Sequence, residues 1–228
     1  MSVSDNLKAV TDRIAFSCRH AGREPSSVRL VVVTKTVGID RIREAVNAGA
    51  LILGENRVQE ARGKIEDLGN IASWHLIGRL QSNKAKYAVR FFDLIHSVDS
   101  IALAKELDKQ AAKIDKVQDV LIEVSIAGEE AKGGVAIRDA AALVREAAKL
   151  EHLRIKGLMT MPPLTEDPEM SRPWFRKLRE LRDTLEAEQI PKVSLAELSM
   201  GMSGDFEVAV SEGATLVRVG SAIFGERS

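Results

Sequence analysis

Leu30-Val31-Val32-Val33-Thr34-Lys35 is a β-branched apolar run that stops on a lysine. It is too short for a helix, and it lacks the polar–apolar alternation of a half-exposed strand. It therefore reads as a strand buried on both faces. Strands of that kind belong to parallel sheets, whose crossovers are usually helices. The flanking sequence supplies such helices. From Asp5 to His20, the residues Leu7, Val10, Ile14 and Cys18 recur at helical spacing, and Pro25 and Ser26 then break the pattern. Downstream of the run, Ile39 to Ala48 is helical and stops at Gly49.

The unit recurs along the chain. Further strands are expected at Leu51 to Leu53, Trp74 to Ile77, Leu94 to His96, Val117 to Val124, Leu153 to Leu158, Ser194 to Leu198 and Leu216 to Val219. Helices are expected between them, at Arg57 to Leu68, Asn83 to Val89, Ser100 to Lys113 with Ser100 as N-cap, Ile137 to Lys149, Met170 to Glu188 and Asp205 to Ser211. Eight strand–helix units of about 28 residues most naturally close into an α/β fold of the (β/α)8 TIM-barrel type. An open doubly wound sheet is the alternative, but no Gly-x-Gly-x-x-Gly follows the first strand. No linker divides the chain, so residues 1–228 are read as one domain. Little follows the eighth strand, only Ala222 to Ser228, so the extra N-terminal helix is expected to fill the place of an eighth outer helix.

Charge and composition narrow the function. There are 33 Lys+Arg against 33 Asp+Glu, a balance that argues against nucleic acid or an anionic membrane as partner. Aromatics are 4% of the chain, too few for a base-stacking platform. Cys18 is the single cysteine, so there is neither an internal disulfide nor a thiolate metal cage, and its place on an apolar stripe predicts burial. No signal peptide and no membrane-length apolar run is visible, which makes the cytoplasm the expected compartment.

In a barrel, chemistry sits at the C-terminal ends of the strands. Lys35 stands there on the first strand. On position alone it is either a lysine snorkelling out of a loop or an amine whose partial desolvation suits Schiff-base chemistry. Ser199-Met200-Gly201-Met202-Ser203-Gly204-Asp205 follows strand seven, and Arg218-Val219-Gly220-Ser221 ends strand eight. Barrels commonly build phosphate sites in these two loops, where glycines let backbone N–H groups approach an anion. Each loop alone is also explained as a tight turn. Strand eight neighbours strand one in a closed barrel, so Lys35, Arg218 and the two loops converge. Asn56 ends strand two as a possible ligand donor or helix cap. His75, within strand three, reads as a satisfied core histidine, and no cluster has metal-ligand spacing. Met159 and Met161 end strand six, to line a ligand or to pack. A lysine facing a phosphate cradle fits a Schiff-base aldolase or a pyridoxal 5′-phosphate site.

Six segments then carry a resemblance. Val33-Thr34-Lys35-Thr36, Gly54 to Glu60, Trp74 to Lys84, Gly157 to Met161, Leu198 to Asp205 and Arg218 to Gly225 are similar, in order and spacing, to the pyridoxal phosphate homeostasis family of the YggS/PROSC type. The resemblance implies a fold-type III barrel similar to the N-terminal domain of alanine racemase. It implies that Lys35 carries pyridoxal 5′-phosphate as an internal aldimine. By the same resemblance Ser203, Gly204, Gly220 and Ser221 bind the phosphate, Arg218 faces the pyridine nitrogen, and Asn56 lies near the ring. An arginine only donates, so the ring nitrogen it faces stays unprotonated and is a poor electron sink. The expected function is therefore a carrier in vitamin B6 homeostasis, with no catalytic residue, buffering the cofactor or delivering it to apo-enzymes. The alternative is a low-specificity amino acid racemase, which would need a second domain and a catalytic tyrosine; the one tyrosine, Tyr87, is expected on the helix after strand three. A mouth uncovered by a second domain is compatible with a monomer. Ala131 stands where the family usually has serine, and Lys132 and Lys84 are read either as surface cations near the mouth or as ordinary solvated lysines.

Overall fold

The computed structural model describes residues 2–128, 133–163 and 165–225. Its strands, in chain order, are β1 (Arg29–Val33), β2 (Ile52–Glu55), β3 (Ser73–Leu76), β4 (Leu94–Val98), β5 (Gln118–Ser125), β6 (Val135–Ala136), β7 (Leu153–Met159), β8 (Glu197–Ser199) and β9 (Leu216–Val219). Every pairing is parallel. The order runs β1-β2-β3-β4-β5-β7-β8-β9, and β9 returns to β1 with Val31 opposite Arg218 and Val32 opposite Val219. The expected eight-stranded barrel is therefore closed. The two-residue β6 lies outside it, beside the end of β5.

The run that announced the fold shows why it is apolar throughout. Side chains alternate faces along a strand. Val31 and Val33 join Ile52, Ile77, Leu94, Leu121, Met159 and Leu216 inside the barrel. Val32 points the other way, into the larger core between strands and helices. That outer layer consists of α1 (Val3–His20), α2 (Ile39–Asn47), α3 (Val58–Leu68), α4 (Ala85–Phe91), α5 (Ile101–Ala112), α6 (Ile137–Ala147), α7 (Arg172–Ala187), α8 (Phe206–Ser211) and α9 (Ser221–Phe224).

The N-terminal helix closes the ring. Ser2 and Asp5 form a reciprocal capping box at its start. Leu7, Val10, Ile14 and Cys18 are buried, as their spacing requires. The helix packs on α2, α8 and α9, and Arg13 grips Glu207 of α8 through two bonds of 2.8 and 3.0 Å. Burying an aliphatic side chain of this kind contributes roughly 1.5–3 kcal/mol, so α1 is integral to the barrel.

Element edges depart from the sequence expectation in informative places. β4 runs two residues past the expected end at His96, to Val98, and the buried Ser97 finds a partner in the Gly78 carbonyl. β8 starts at Glu197, opposite Gly157, rather than at Ser194. β6 and the single-turn α9 carry no periodic signal and were not anticipated. Ala131 and Lys132 lie outside the described residues.

Candidate functional site

All seven residues singled out in the sequence line one cavity of about 510 Å³ at the C-terminal mouth: Lys35, Asn56, Ser203, Gly204, Arg218, Gly220 and Ser221. Lys35 sits two residues beyond β1 and is half-buried. Asn56 follows β2 directly. The β3 loop reaches it closely, since a Cβ on Gly78 would lie 2.4 Å from the Asn56 carbonyl oxygen. Met161 lines the cavity while Met159 packs within the barrel, so the two methionines divide the roles the sequence left open.

The glycine-rich loops meet across the cavity. Gly201 adopts φ +88°, and a Cβ there would fall 2.5 Å from the Ala209 Cβ, so glycine alone makes this turn. Asp205 Oδ1 accepts from the Met202 N–H at 2.7 Å and tightens the loop. Ser203 Oγ accepts from the N–H groups of Gly220 at 3.3 Å and Ala222 at 3.5 Å, tying the two loops together. The N–H groups of Ser203, Gly204 and Ser221 have no acceptor among the described residues. Backbone donors so placed suit an anion.

Arg218 enters from β9 and is 3% exposed. Its Nη1 donates to Ser199 Oγ at 2.6 Å and its Nη2 to the Thr160 carbonyl at 2.9 Å. Burial pulls it down to about 10, against the attraction of Glu123 and Asp205, so it stays charged near neutrality. Ser199 continues to His96 Nδ1 at 2.9 Å, and His96 Nε2 to His75 Nδ1 at 3.0 Å. His75 is thus a satisfied core histidine, as expected. Its partner His96 was missed, because a lone polar residue in a short apolar run carries no local signal. Glu123 on β5 was missed too. Its carboxyl is buried, and desolvation, with the nearby Asp99, pushes it up to about 7 against Arg218 and Arg79.

A second unanticipated group lies behind Lys35. Lys64 of α3 is buried and bridges Glu55, Glu60 and the Thr34 carbonyl. In the sequence, Glu60 and Lys64 look like an ordinary exposed i,i+4 helix pair. An adjoining, more polar hollow of about 810 Å³ shares Asn56 and Arg79 with the first cavity, and Arg57, Lys84 and Asp99 line it. Among the described residues no His, Cys, Asp or Glu group has the arrangement of a metal site, and no helix is long and apolar enough to cross a membrane.

Comparison with known proteins gives the chain's family and fold. The family model for the N-terminal domain of alanine racemase matches residues 6–228. A pyridoxal phosphate homeostasis protein of Aquifex aeolicus is 50% identical over 228 residues, covering 100% of this chain and 99% of its own. The solved structure of PipY from Synechococcus elongatus, with PLP bound, superposes with a TM-score of 0.84 at 39% identity, covering 95% of this chain and 100% of that one. An alanine racemase of Clostridium difficile shares the fold, with a TM-score of 0.77 at 14% identity; 98% of this chain covers 57% of that one.

Proposed function

The chain belongs to the pyridoxal phosphate homeostasis protein family, and on that premise we propose that it binds pyridoxal 5′-phosphate in the mouth cavity and buffers or delivers it. The observation that carries this reading is the placement of Lys35 and the two-loop cradle in one cavity. The residues fit the group. Backbone N–H groups of Ser203, Gly204 and Ser221 that lack an acceptor among the described residues suit a phosphate. The Ser203 and Ser221 hydroxyls and the Gly220 backbone complete that cradle. Lys35 offers a primary amine to an aldehyde, and Asn56 lies at the same wall as a neutral donor.

When bound, pyridoxal phosphate supplies a reactive aldehyde and, where its ring nitrogen is protonated, an electron sink. Arg218 would withhold that second property. Its guanidinium remains charged and has only N–H groups, so it would donate to a ring nitrogen that faced it and keep a proton off that atom. Holding the cofactor is favoured over carbanion chemistry. Tyr87, exposed on α4, is not among the residues lining the cavity, so the second base of a two-base racemase has no tyrosine here. In this reading the protein acts as a cytoplasmic monomer, with apo forms of pyridoxal phosphate enzymes as recipients.

The test is direct. Protein incubated with pyridoxal 5′-phosphate turns yellow, and borohydride reduction fixes a pyridoxyl group to the Lys35 peptide. Lys35→Ala abolishes the label while weaker non-covalent binding persists. Protein that stays colourless and unlabelled would overturn the assignment. Turnover of an amino acid at ordinary enzyme rates, about 1–1000 per second, would overturn the carrier reading instead.

A further inference from the structure

Lys35 lies between two backbone groups that are both held from α3. The Thr34 carbonyl accepts from Lys64 Nζ at 2.6 Å. The Thr36 N–H donates to Glu60 Oε1 at 2.5 Å. Lys64 Nζ also donates to Glu60 Oε1 at 2.7 Å and to Glu55 Oε1 at 2.7 Å, so all its donors are used. Thr34 Oγ1 donates to that same Glu55 oxygen at 2.6 Å. The grip matters most at Thr36, which has φ 61°. A β-branched residue disfavours this left-handed region and stays there only when something holds it.

The cluster is placed unlike a stabilising surface pair. Glu55 is wholly buried and Lys64 is 8% exposed. Burying an ammonium with carboxylates stabilises a fold no better than apolar packing would, so what the group supplies is geometry. Arg62 and Glu66, on the same helix, are exposed and pair with each other. Lys64, Glu60 and Glu55 do not line the cavity. They act through the Lys35 turn.

We propose that Lys64, Glu60 and Glu55 clamp the Lys35 turn and set how long the protein retains its covalently held cofactor. This rests on the assignment of Lys35 above. The C=N bond between a lysine amine and an aldehyde forms with loss of one water and is broken by adding one back, which returns the amine and the aldehyde. Its lifetime depends on the amine staying in register with the phosphate cradle across the cavity. A rigid turn preserves that register, and a loose one lets the amine and the anchored phosphate drift apart. The three residues are positioning residues for a carrier's release rate.

Full-length wild type, Glu60→Gln, Lys64→Met, Glu66→Gln and the double variant Glu60→Gln/Thr36→Gly are loaded with pyridoxal 5′-phosphate. Each is diluted into excess of a scavenger that removes free cofactor, and the decay of the bound absorbance band is timed. Borohydride labelling of Lys35 and a melting curve accompany each protein. Glu60→Gln and Lys64→Met should lose cofactor about tenfold faster, the scale expected for a lost charge-assisted bond. Glu66→Gln should match wild type. Thr36→Gly should restore retention to Glu60→Gln, because glycine adopts the left-handed conformation unaided. Rescue separates a clamp from general loosening. Glu60→Gln is the milder change and keeps the test decisive if Lys64→Met does not fold. Equal decay in wild type and Glu60→Gln, with Lys35 labelled in both, overturns the clamp alone, as does fast decay without rescue. Absence of label in wild type overturns the Lys35 assignment and the clamp together.

Discussion

Arg218 Nη1 donates to Ser199 Oγ at 2.6 Å, and this bond gives the barrel floor a fixed proton order. Arginine has no acceptor, so Ser199 accepts and turns its own hydrogen to His96 Nδ1. His96 Nδ1 therefore accepts, and its hydrogen sits on Nε2, which donates to His75 Nδ1 at 3.0 Å. The chain of donors points away from the cavity. Both histidines should be neutral Nε2–H tautomers at neutral pH. Nitrogen-15 chemical shifts of the imidazoles check this, and an Nδ1–H signal from His96 would reverse the order.

Ser199 is the hinge of that order. Ser199→Ala leaves Arg218 Nη1 and His96 Nδ1 without their shared partner in a buried setting. Unmet donors and acceptors of this kind cost about 1–3 kcal/mol. Urea unfolding should show that loss. If Arg218 faces the ring nitrogen, the variant should also shift the absorbance of bound cofactor more than it weakens phosphate affinity. A variant with wild-type stability would mean that the floor tolerates the gap.

Much of this arrangement was legible because barrels place function at strand ends. Lys35 was visible as a charge ending an apolar run, and the cradle as two glycine-rich turns after the last two strands. What escaped depends on contacts that sequence spacing does not express. His75 and His96 meet only because β3 and β4 are neighbours, with His75 opposite Leu94. Lys64 is buried because it reaches from α3 to the Thr34 carbonyl just past β1 and to Glu55 at the end of β2, although its spacing from Glu60 suggests solvent. Glu123 interrupts the apolar stretch from Val120 to Val124 within β5, a signal in the sequence that was passed over.

The glycines of the seventh-strand loop separate folding from binding. Gly201 has φ +88°, and an added Cβ meets Ala209 at 2.5 Å and the Phe206 Cα at 2.9 Å. Gly201→Ala should destabilise the protein by about 2–3 kcal/mol through backbone strain and overpacking. At Gly204 an added Cβ meets nothing within 4 Å. Gly204→Ala should therefore change stability by less than about 0.5 kcal/mol. Any fall in pyridoxal phosphate affinity at Gly204 is then an effect on the cradle itself. Chemical denaturation beside equilibrium titration checks both, and equal stability losses would contradict the packing.

Buried groups set two opposed pH trends. Burial pushes His75 down to about 4 from 6.5. A histidine with a depressed folded pKa gives stability that is complete above its unfolded value and is lost as pH falls towards about 4. The loss is on the order of 3 kcal/mol, and His96, shifted the same way, steepens it. Glu123 works oppositely. Its carboxyl is pushed up from 4.5 to about 7, so the folded state holds the proton longer and stability declines as pH rises through that window. Stability should peak at mildly acidic to neutral pH. Glu123→Gln keeps a neutral side chain of the same shape and removes the decline at higher pH. It should be more stable than wild type by about 1–3 kcal/mol near pH 8, with the difference shrinking near pH 5. Urea unfolding at both values measures the pair of differences. A gain at pH 5 equal to that at pH 8 would show that Glu123 does not titrate in this range.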